Sequence, residues 1–169
     1  MTVFKTGIGQ DSHRILEEAE GRPLVLAGLT LEAGFALEGN SDSDVVLHAV
    51  TNALSGISGK PVLGPVADGL CRAGVKDSRA YLAIALGDVW DMGYRITHVS
   101  IALECQKPRL IRHFPAMRSK LEGLMKLPPG CVAFTATSGE GLTAFGQGLG
   151  VQAFAVVSAM DAKLFTLMA

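Results

Sequence analysis

Asp11 and His13 stand two residues apart in the segment GIGQDSH. In an extended chain that spacing turns a carboxylate and an imidazole to the same side, where both can face one cation. A lone D-x-H is common, and a hydrogen-bonded surface pair is the simpler reading of it. A second pair, Asp44 and His48, is four apart in SDSDVVLHAV, so the two lie one turn apart on one helix face. His48 is surrounded by Val45, Val46, Leu47, Ala49 and Val50, where an unpartnered imidazole is costly. It therefore needs an ion, a buried carbonyl or Asp44 itself. If Asp11, His13 and His48 meet, three protein ligands leave one position for a substrate, which is the arrangement of catalytic rather than structural zinc. Asp44 would then lie behind His48 and orient it.

A second constellation is the segment Thr135 to Thr143, TATSGEGLT, which joins hydroxyls and glycines to one acid, Glu140. Backbone N–H and hydroxyl groups there suit a phosphate, and the carboxylate suits Mg²⁺. A hairpin loop is the plainer alternative. The following FGQGLG has glycine at alternate positions but is neither a P-loop nor a dinucleotide fingerprint.

These residues need a scaffold. Phe4 to Gly9 reads as a strand whose Gly7 and Gly9 suit close approach to another backbone or a ligand. Pro23 to Leu31 reads as a strand pair turning near Gly28. Ser41 to Asp44 carries a serine-to-acid capping pattern before a helix over 42–56. Residues 58–78, with Pro61 and Pro65 and several glycines, predict a long irregular connection. Asp77-Ser78 caps a second helix running to Met92, with Gly93 as its stop. A strand over 96–104 follows, then a proline-bounded turn over 108–115 and a helix over 117–124 that Pro128-Pro129-Gly130 closes. Strands over 132–137 and 150–160 flank the loop 138–148. The alternation without a Rossmann fingerprint predicts an α+β fold, a mixed β-sheet with helices packed on one face.

The length fits one domain over 1–169 with a sizeable core. A formal charge of −1, with 15 basic against 16 acidic residues, gives no field for nucleic acid and points to a small ligand. Three cysteines at irregular spacing argue against a disulfide framework and for a reducing cytoplasm. Apolar runs are broken well before the roughly 20 residues that span a bilayer, so no membrane partner is expected. The high apolar content, 49%, is better placed in a core or a subunit interface.

Four blocks in order, GIGQDSH, SDSDVVLHAVTNAL, QKPRLIRHFPAMR and TATSGEGLTAFGQGLGV, together resemble the 2-C-methyl-D-erythritol 2,4-cyclodiphosphate synthase family of the non-mevalonate isoprenoid pathway, over most of the chain. The resemblance implies a ferredoxin-like sandwich and a homotrimer with active sites between neighbouring subunits. It implies Zn²⁺ on Asp11, His13 and His48, and Mg²⁺ or Mn²⁺ held by Glu140 with the substrate diphosphate. Thr137, Ser138 and Gly139 would bind that diphosphate, Ser138 in a catalytic role. Cys105, Gln106, Lys107, Pro108, Arg109, Leu110 and Ile111 would cradle the cytosine, largely through backbone groups. The implied reaction closes a cyclic diphosphate on a cytidine diphosphate substrate and releases CMP.

The chain departs from the pattern at several of these places. Asn40 stands where a histidine usually touches the transferring phosphate, just before Ser41, which also faces substrate in the family. Ser138 and Gly139 replace threonines. The Gly-Asp-Ile-Gly and Phe-Pro-Asp-x-Asp segments that bind the erythritol are absent from 58–78, leaving Asp68 as their stand-in. Gln147 and Leu149 replace an arginine and a glutamate near the trimer axis. Two other readings on the same scaffold stay open: a non-catalytic trimer that binds a nucleotide or isoprenoid diphosphate with metal, and a zinc phosphohydrolase with a linear product.

Overall fold

The structure is a computed structural model and describes residues 2–19 and 21–168. In chain order the elements are β1 (Phe4–Leu16), β2 (Leu24–Leu26), β3 (Leu29–Leu31), β4 (Ala36–Leu37), α1 (Val45–Ser58), α2 (Pro65–Arg72), α3 (Ser78–Asp91), β5 (Tyr94–Glu104), α4 (Phe114–Met125), β6 (Val132–Thr137), β7 (Gly150–Asp161) and α5 (Ala162–Met168). Five strands form one sheet in the order β4-β1-β7-β5-β6. Its pairings are antiparallel except β5 with β6, so the sheet is mixed, as expected.

Burial alternates along the long strands with period two. In β7, Val151, Ala153, Ala155, Val157 and Ala159 are buried, while Phe154 and Val156 are exposed. One face therefore carries the core and the helices, and the other is open. The glycines of β1 set how close α1 comes. A methyl group at Gly7 would stand 1.9 Å from the Ala53 carbonyl oxygen, and one at Gly9 would stand 2.0 Å from that of Ala49. Only hydrogen fits at both places, so the helix lies directly on the strand and brings His48 over Asp11 and His13.

Several elements differ from the sequence reading. β1 does not end at Gly9 but runs on through Asp11 and His13 to Leu16, because Gln10 to Arg14 keep pairing with β7. β2 and β3 turn at Ala27-Gly28, whose φ values of 54° and 73° make the two-residue turn the strands' twist favours. They form a separate two-stranded sheet rather than joining the main one. The connection 58–78 is not irregular throughout: α2 occupies Pro65–Arg72, with Pro65 in the first turn, where its missing N–H costs nothing. Pro115 likewise starts α4 instead of bounding a turn. The short β4 and the C-terminal α5 have no counterpart in the sequence reading.

Asp44, not Ser41 or Asp42, is the cap of α1. Its carboxylate accepts from Val46 N (3.1 Å) and Leu47 N (3.0 Å), and also from Ala27 N (2.9 Å) and Gly28 N (2.6 Å) across the β2–β3 turn. One buried side chain thus ties the hairpin to the helix. Burial drives its pKa up, against the backbone N–H groups of Gly28, Leu47 and Ala27. The neighbouring Ser43 is fully buried at φ 56°, and its Oγ has no protein partner. Left-handed backbone at a non-glycine residue and an unpaired buried hydroxyl both cost stability. Ser43→Gly is therefore expected to stabilise the protein by roughly 0.5–1.5 kcal/mol after allowing for glycine's extra unfolded-state freedom, raising the urea midpoint with an unchanged slope.

Candidate functional site

The three residues from β1 and α1 meet. Asp11 Oδ2 lies 2.9 Å from His13 Nε2 and 2.9 Å from His48 Nδ1, and the two ring nitrogens are 3.1 Å apart. Among the described residues these three form a group whose ligand atoms could share one metal ion. A tetrahedral zinc with bonds of about 2.0–2.1 Å needs ligand atoms about 3.3 Å apart, so the observed spacing requires only a slight opening.

The far sides of both rings say what the near sides carry. His13 Nδ1 is 2.7 Å from the Glu38 carbonyl oxygen, which can only accept, so that nitrogen bears the proton and a neutral ring leaves Nε2 with a lone pair. His48 Nε2 is 2.8 Å from Ser78 Oγ, and Ser78 Oγ in turn meets Asp42 Oδ1. Two lone pairs and a carboxylate then converge on one point, an arrangement that repels unless a cation or a proton occupies it. With the protein's own groups alone, burial acts to raise the Asp11 carboxyl, and His13 and His48 outweigh it, holding the pKa at about 2. Burial acts to lower His13, and Asp11 outweighs it, with the Glu38 carbonyl adding to the rise.

Asp44 does not orient His48. Their link is the helical bond from His48 N to the Asp44 carbonyl oxygen, 2.9 Å, while the Asp44 carboxylate is used up in capping. The group behind His48 is Ser78 at the start of α3. Asp77-Ser78 reads as a cap in the sequence, and Asp77 does accept from Arg79 N, but nothing in the local pattern signals the contact across to His48.

Ser41 and Asn40 lie beside the triad on the segment leading into α1. Ser41 Oγ accepts from Ser43 N and stands 3.5 Å from His48 Nε2, and Asn40 is exposed. Arg22 fixes this segment by donating to the carbonyls of Leu37, Gly39 and Ser41 at 3.2–3.3 Å. Asp68 is exposed on α2.

A second cluster lies at the β5–β6 end of the sheet. A cavity of about 710 Å³ is lined by Cys105, Gln106, Pro108, Arg109, Leu110 and Ile111 from the segment after β5, and by Thr137 and Ser138 after β6. Arg112 and Ala136 also line it, which the sequence reading missed. Lys107 is not in the lining. Its Nζ pairs with Glu17 at 2.8 Å and lies over the Phe35 ring. Burial pushes the Cys105 thiol up to about 11, so it is an inert wall group rather than a nucleophile. Gly139 and Glu140 form a short 3-10 turn beside the cavity, Glu140 in left-handed conformation at φ 50°. A methyl at Gly139 would meet Glu104 Oε1 at 2.0 Å, and Glu104 is held by the Thr143 hydroxyl. The carboxylate of Glu104 thus fills the space that a side chain at 139 would take.

The chain matches known proteins over most of its length. Residues 4–160 match the model of the YgbB family. Proteins named 2-C-methyl-D-erythritol 2,4-cyclodiphosphate synthase are 41% identical in Chlamydia trachomatis serovar L2b (strain UCH-1/proctitis) and 42% identical in Chlamydia muridarum (strain MoPn / Nigg). Each match spans 160 residues, 94% of this chain and 89% of the relative. A solved structure of a 2C-methyl-D-erythritol-2,4-cyclodiphosphate synthase in a CDP-bound form is 32% identical, with a TM-score of 0.77 over 92% of this chain and 99% of that one. The bifunctional IspDF from Campylobacter jejuni is 28% identical, with a TM-score of 0.82 over 94% of this chain and 42% of its own. From the opening strand that carries Asp11 and His13 to the last long strand, this chain belongs to the YgbB family.

Proposed function

We propose that this protein is a 2-C-methyl-D-erythritol 2,4-cyclodiphosphate synthase. It converts 4-diphosphocytidyl-2-C-methyl-D-erythritol 2-phosphate to the cyclic diphosphate and releases CMP. The observation that carries the reading is the convergence of Asp11, His13 and His48 on one point with both imidazoles held from behind. The donor set suits zinc, and Glu140 is the group to hold Mg²⁺ or Mn²⁺ with the diphosphate. Bound there, the two ions supply positive charge against the phosphate oxygens.

The chain's own groups position the substrate. The cavity between the segments 105–112 and 136–138 takes the cytidine end, its polar contacts coming from backbone groups of Cys105 to Ile111. Thr137, Ser138 and Gly139 offer hydroxyl and N–H donors to the diphosphate, and the Asn40 amide donates to the transferring phosphoryl group beside Ser41. Asp68 serves the erythritol hydroxyls. An oxygen of the substrate's 2-phosphate attacks the β-phosphorus, the bond from that phosphorus to the bridging oxygen breaks, and CMP leaves with the bridge. The reaction needs no protein nucleophile, only an in-line approach held by these contacts.

The metal triad sits on β1 and the nucleotide cavity on β5–β6, with β7 between. Two strand spacings to β5 and three to β6 put roughly 10–14 Å between them within one chain. That separation supports a site shared by neighbouring subunits, the triad of one facing the cavity of the next. The open sheet face with Phe4, Ile8, Phe154 and Val156 supports a homotrimer of ferredoxin-like sandwiches. A cytoplasmic location is part of the same proposal, and its three free cysteines support it. None of its described helices is long and apolar enough to cross a membrane.

The deciding experiment incubates zinc-loaded protein with the diphosphocytidyl substrate and Mg²⁺, following CMP and the phosphorus species by ³¹P NMR. Metal-dependent CMP release with the cyclic diphosphate is expected. CMP with a linear product, or CDP binding without CMP, overturns the assignment.

The triad also predicts an opposed pH dependence. In metal-free protein the raised His13 contributes stability that is complete below its unfolded value of 6.5 and lost as pH rises through its folded value. The depressed Asp11 contributes stability present above 3.8 and lost as pH falls through about 2. The metal-free protein is thus expected to melt at a lower temperature at a pH above 6.5 than at one below it. Zinc must displace the His13 proton, so its stabilising shift is expected to grow over the same rise in pH. Thermal melts with and without chelator at both pH values check both signs.

A further inference from the structure

We infer that Ser78 and Asp42 form a relay behind His48 that holds its imidazole in the metal-binding tautomer, with Ser78 as the positioning residue. The inference rests on the metal-dependent reading above and deepens it.

Ser78 is the first residue of α3 and is fully buried. Its Oγ lies 2.8 Å from His48 Nε2 and hydrogen-bonds Asp42 Oδ1, while its backbone N–H donates to Asp42 Oδ2 at 3.1 Å. A serine hydroxyl has one proton to give, and a carboxylate can only accept. The Ser78 proton therefore points to Asp42, and the Ser78 oxygen accepts from His48 Nε2–H. That leaves the Nδ1 lone pair facing Asp11 and His13, as a ligand must. Ser41 Oγ also approaches Nε2, but at 3.5 Å it is beyond a good hydrogen bond, and His48 is only 7% exposed.

Asp42 is itself fixed by two backbone bonds. Its N–H donates to the Lys76 carbonyl at 2.8 Å, and its Oδ1 accepts from Asp44 N at 3.3 Å. The relay thus ties the start of α3, Lys76 two residues before it and the N-terminus of α1 to one ring nitrogen. Without the Ser78 hydroxyl the buried Nε2–H has no acceptor. The ring then gains by moving its proton to Nδ1, where Asp11 accepts it, and that hydrogen bond closes the position a metal needs.

The test compares wild type, Ser78→Ala, Ser78→Thr and Asp42→Asn. Zinc affinity is measured by competition with a chelating dye, and the histidine tautomers of metal-free protein are read by long-range ¹H–¹⁵N NMR. Wild type is expected to show His48 protonated at Nε2. Ser78→Ala is expected to populate Nδ1–H and to lose about 10–100-fold in zinc affinity, the usual cost of removing a group behind a metal ligand. Ser78→Thr keeps the hydroxyl and is expected to restore both readouts, which separates a lost relay from a damaged fold. Asp42→Asn is expected to fall between, because the amide oxygen still accepts. Zinc affinity and tautomer unchanged in Ser78→Ala overturns the relay while leaving the metal site in place. Failure of wild type to bind zinc at all overturns the underlying reading instead. If Ser78→Ala does not fold, the Ser78→Thr and Asp42→Asn pair decides: equal affinity and tautomer between Asp42→Asn and wild type overturns the relay.

Discussion

Asp11→Asn is expected to eliminate zinc binding and to cut CMP release by ~10³-fold, the several kcal/mol of charge stabilisation a metal supplies at tenfold per 1.36 kcal/mol. The substitution keeps the side chain's size, so little packing changes around a residue that is only partly buried. What changes is the charge and the donor inventory. An amide oxygen is a poor zinc ligand, and the amide nitrogen donates to the lone pair of His13 Nε2 or His48 Nδ1, both 2.9 Å from the present carboxylate oxygen. Metal-free Asp11→Asn protein is therefore expected to melt near the wild-type temperature, because its amide relieves part of the lone-pair crowding. The zinc-induced shift in melting temperature is expected to vanish. His48→Ala gives the same loss of zinc and activity but also empties a buried site, so its metal-free form is expected to melt lower. Metal content by mass spectrometry, melting with and without zinc, and CMP release form one set. Full activity in Asp11→Asn would remove the triad from the reaction.

The contrast between what the chain discloses and what it hides follows from the range of each signal. Gly7 and Gly9 can be read as a place of close approach because their small size is a local fact, and the α1 backbone fills that place. The D-x-H pair and the histidine four residues past Asp44 can be read because periods of two and 3.6 put side chains on known faces. The partners of those histidines cannot. Glu38 O, 25 residues from His13, and Ser78 Oγ, 30 residues from His48, come together only through the packing of β4, α1 and α3. The same limit explains Asp44. Its spacing from His48 suggests a hydrogen bond, but the backbone N–H groups at the start of α1 and in the Ala27-Gly28 turn take up its oxygens first. In 58–78, glycine and proline density suggests irregular chain, although Pro65 with an exposed face around buried Ala67 is compatible with the short helix that forms. The resemblance to a known family supplies the nucleotide segment 105–111, whose residue types alone would not suggest a ligand.

Ile8→Asp combined with Phe154→Asp is expected to convert a trimer into monomers, lowering the mass in light scattering from three times the chain's 17.7 kDa to once. Both residues point to the open face of the sheet, Ile8 at 69% and Phe154 at 44% exposure. They lie in adjacent rows, because Ile8 pairs with Val156, and Phe154 sits between Gln10 and Ala102. Neither touches the helix-covered face, so the fold is expected to survive, with an unchanged far-ultraviolet spectrum and a cooperative melt. Burying an unpaired carboxylate in an apolar contact costs several kcal/mol per subunit, more than one such interface can absorb. The triad belongs to a single chain, so zinc binding is expected to persist in the monomer while CMP release disappears. Mixed assembly sharpens the point. Asp11→Asn protein, lacking the metal, can be co-refolded in equal amount with a variant whose nucleotide cavity is blocked by Ala136→Trp. If each site takes its triad from one subunit and its cavity from the next, random trimers place two intact halves together in roughly a quarter of sites. Activity then returns from two inactive parents. If triad and cavity of one chain served the same site, every site would retain one lesion and the mixture would stay inactive.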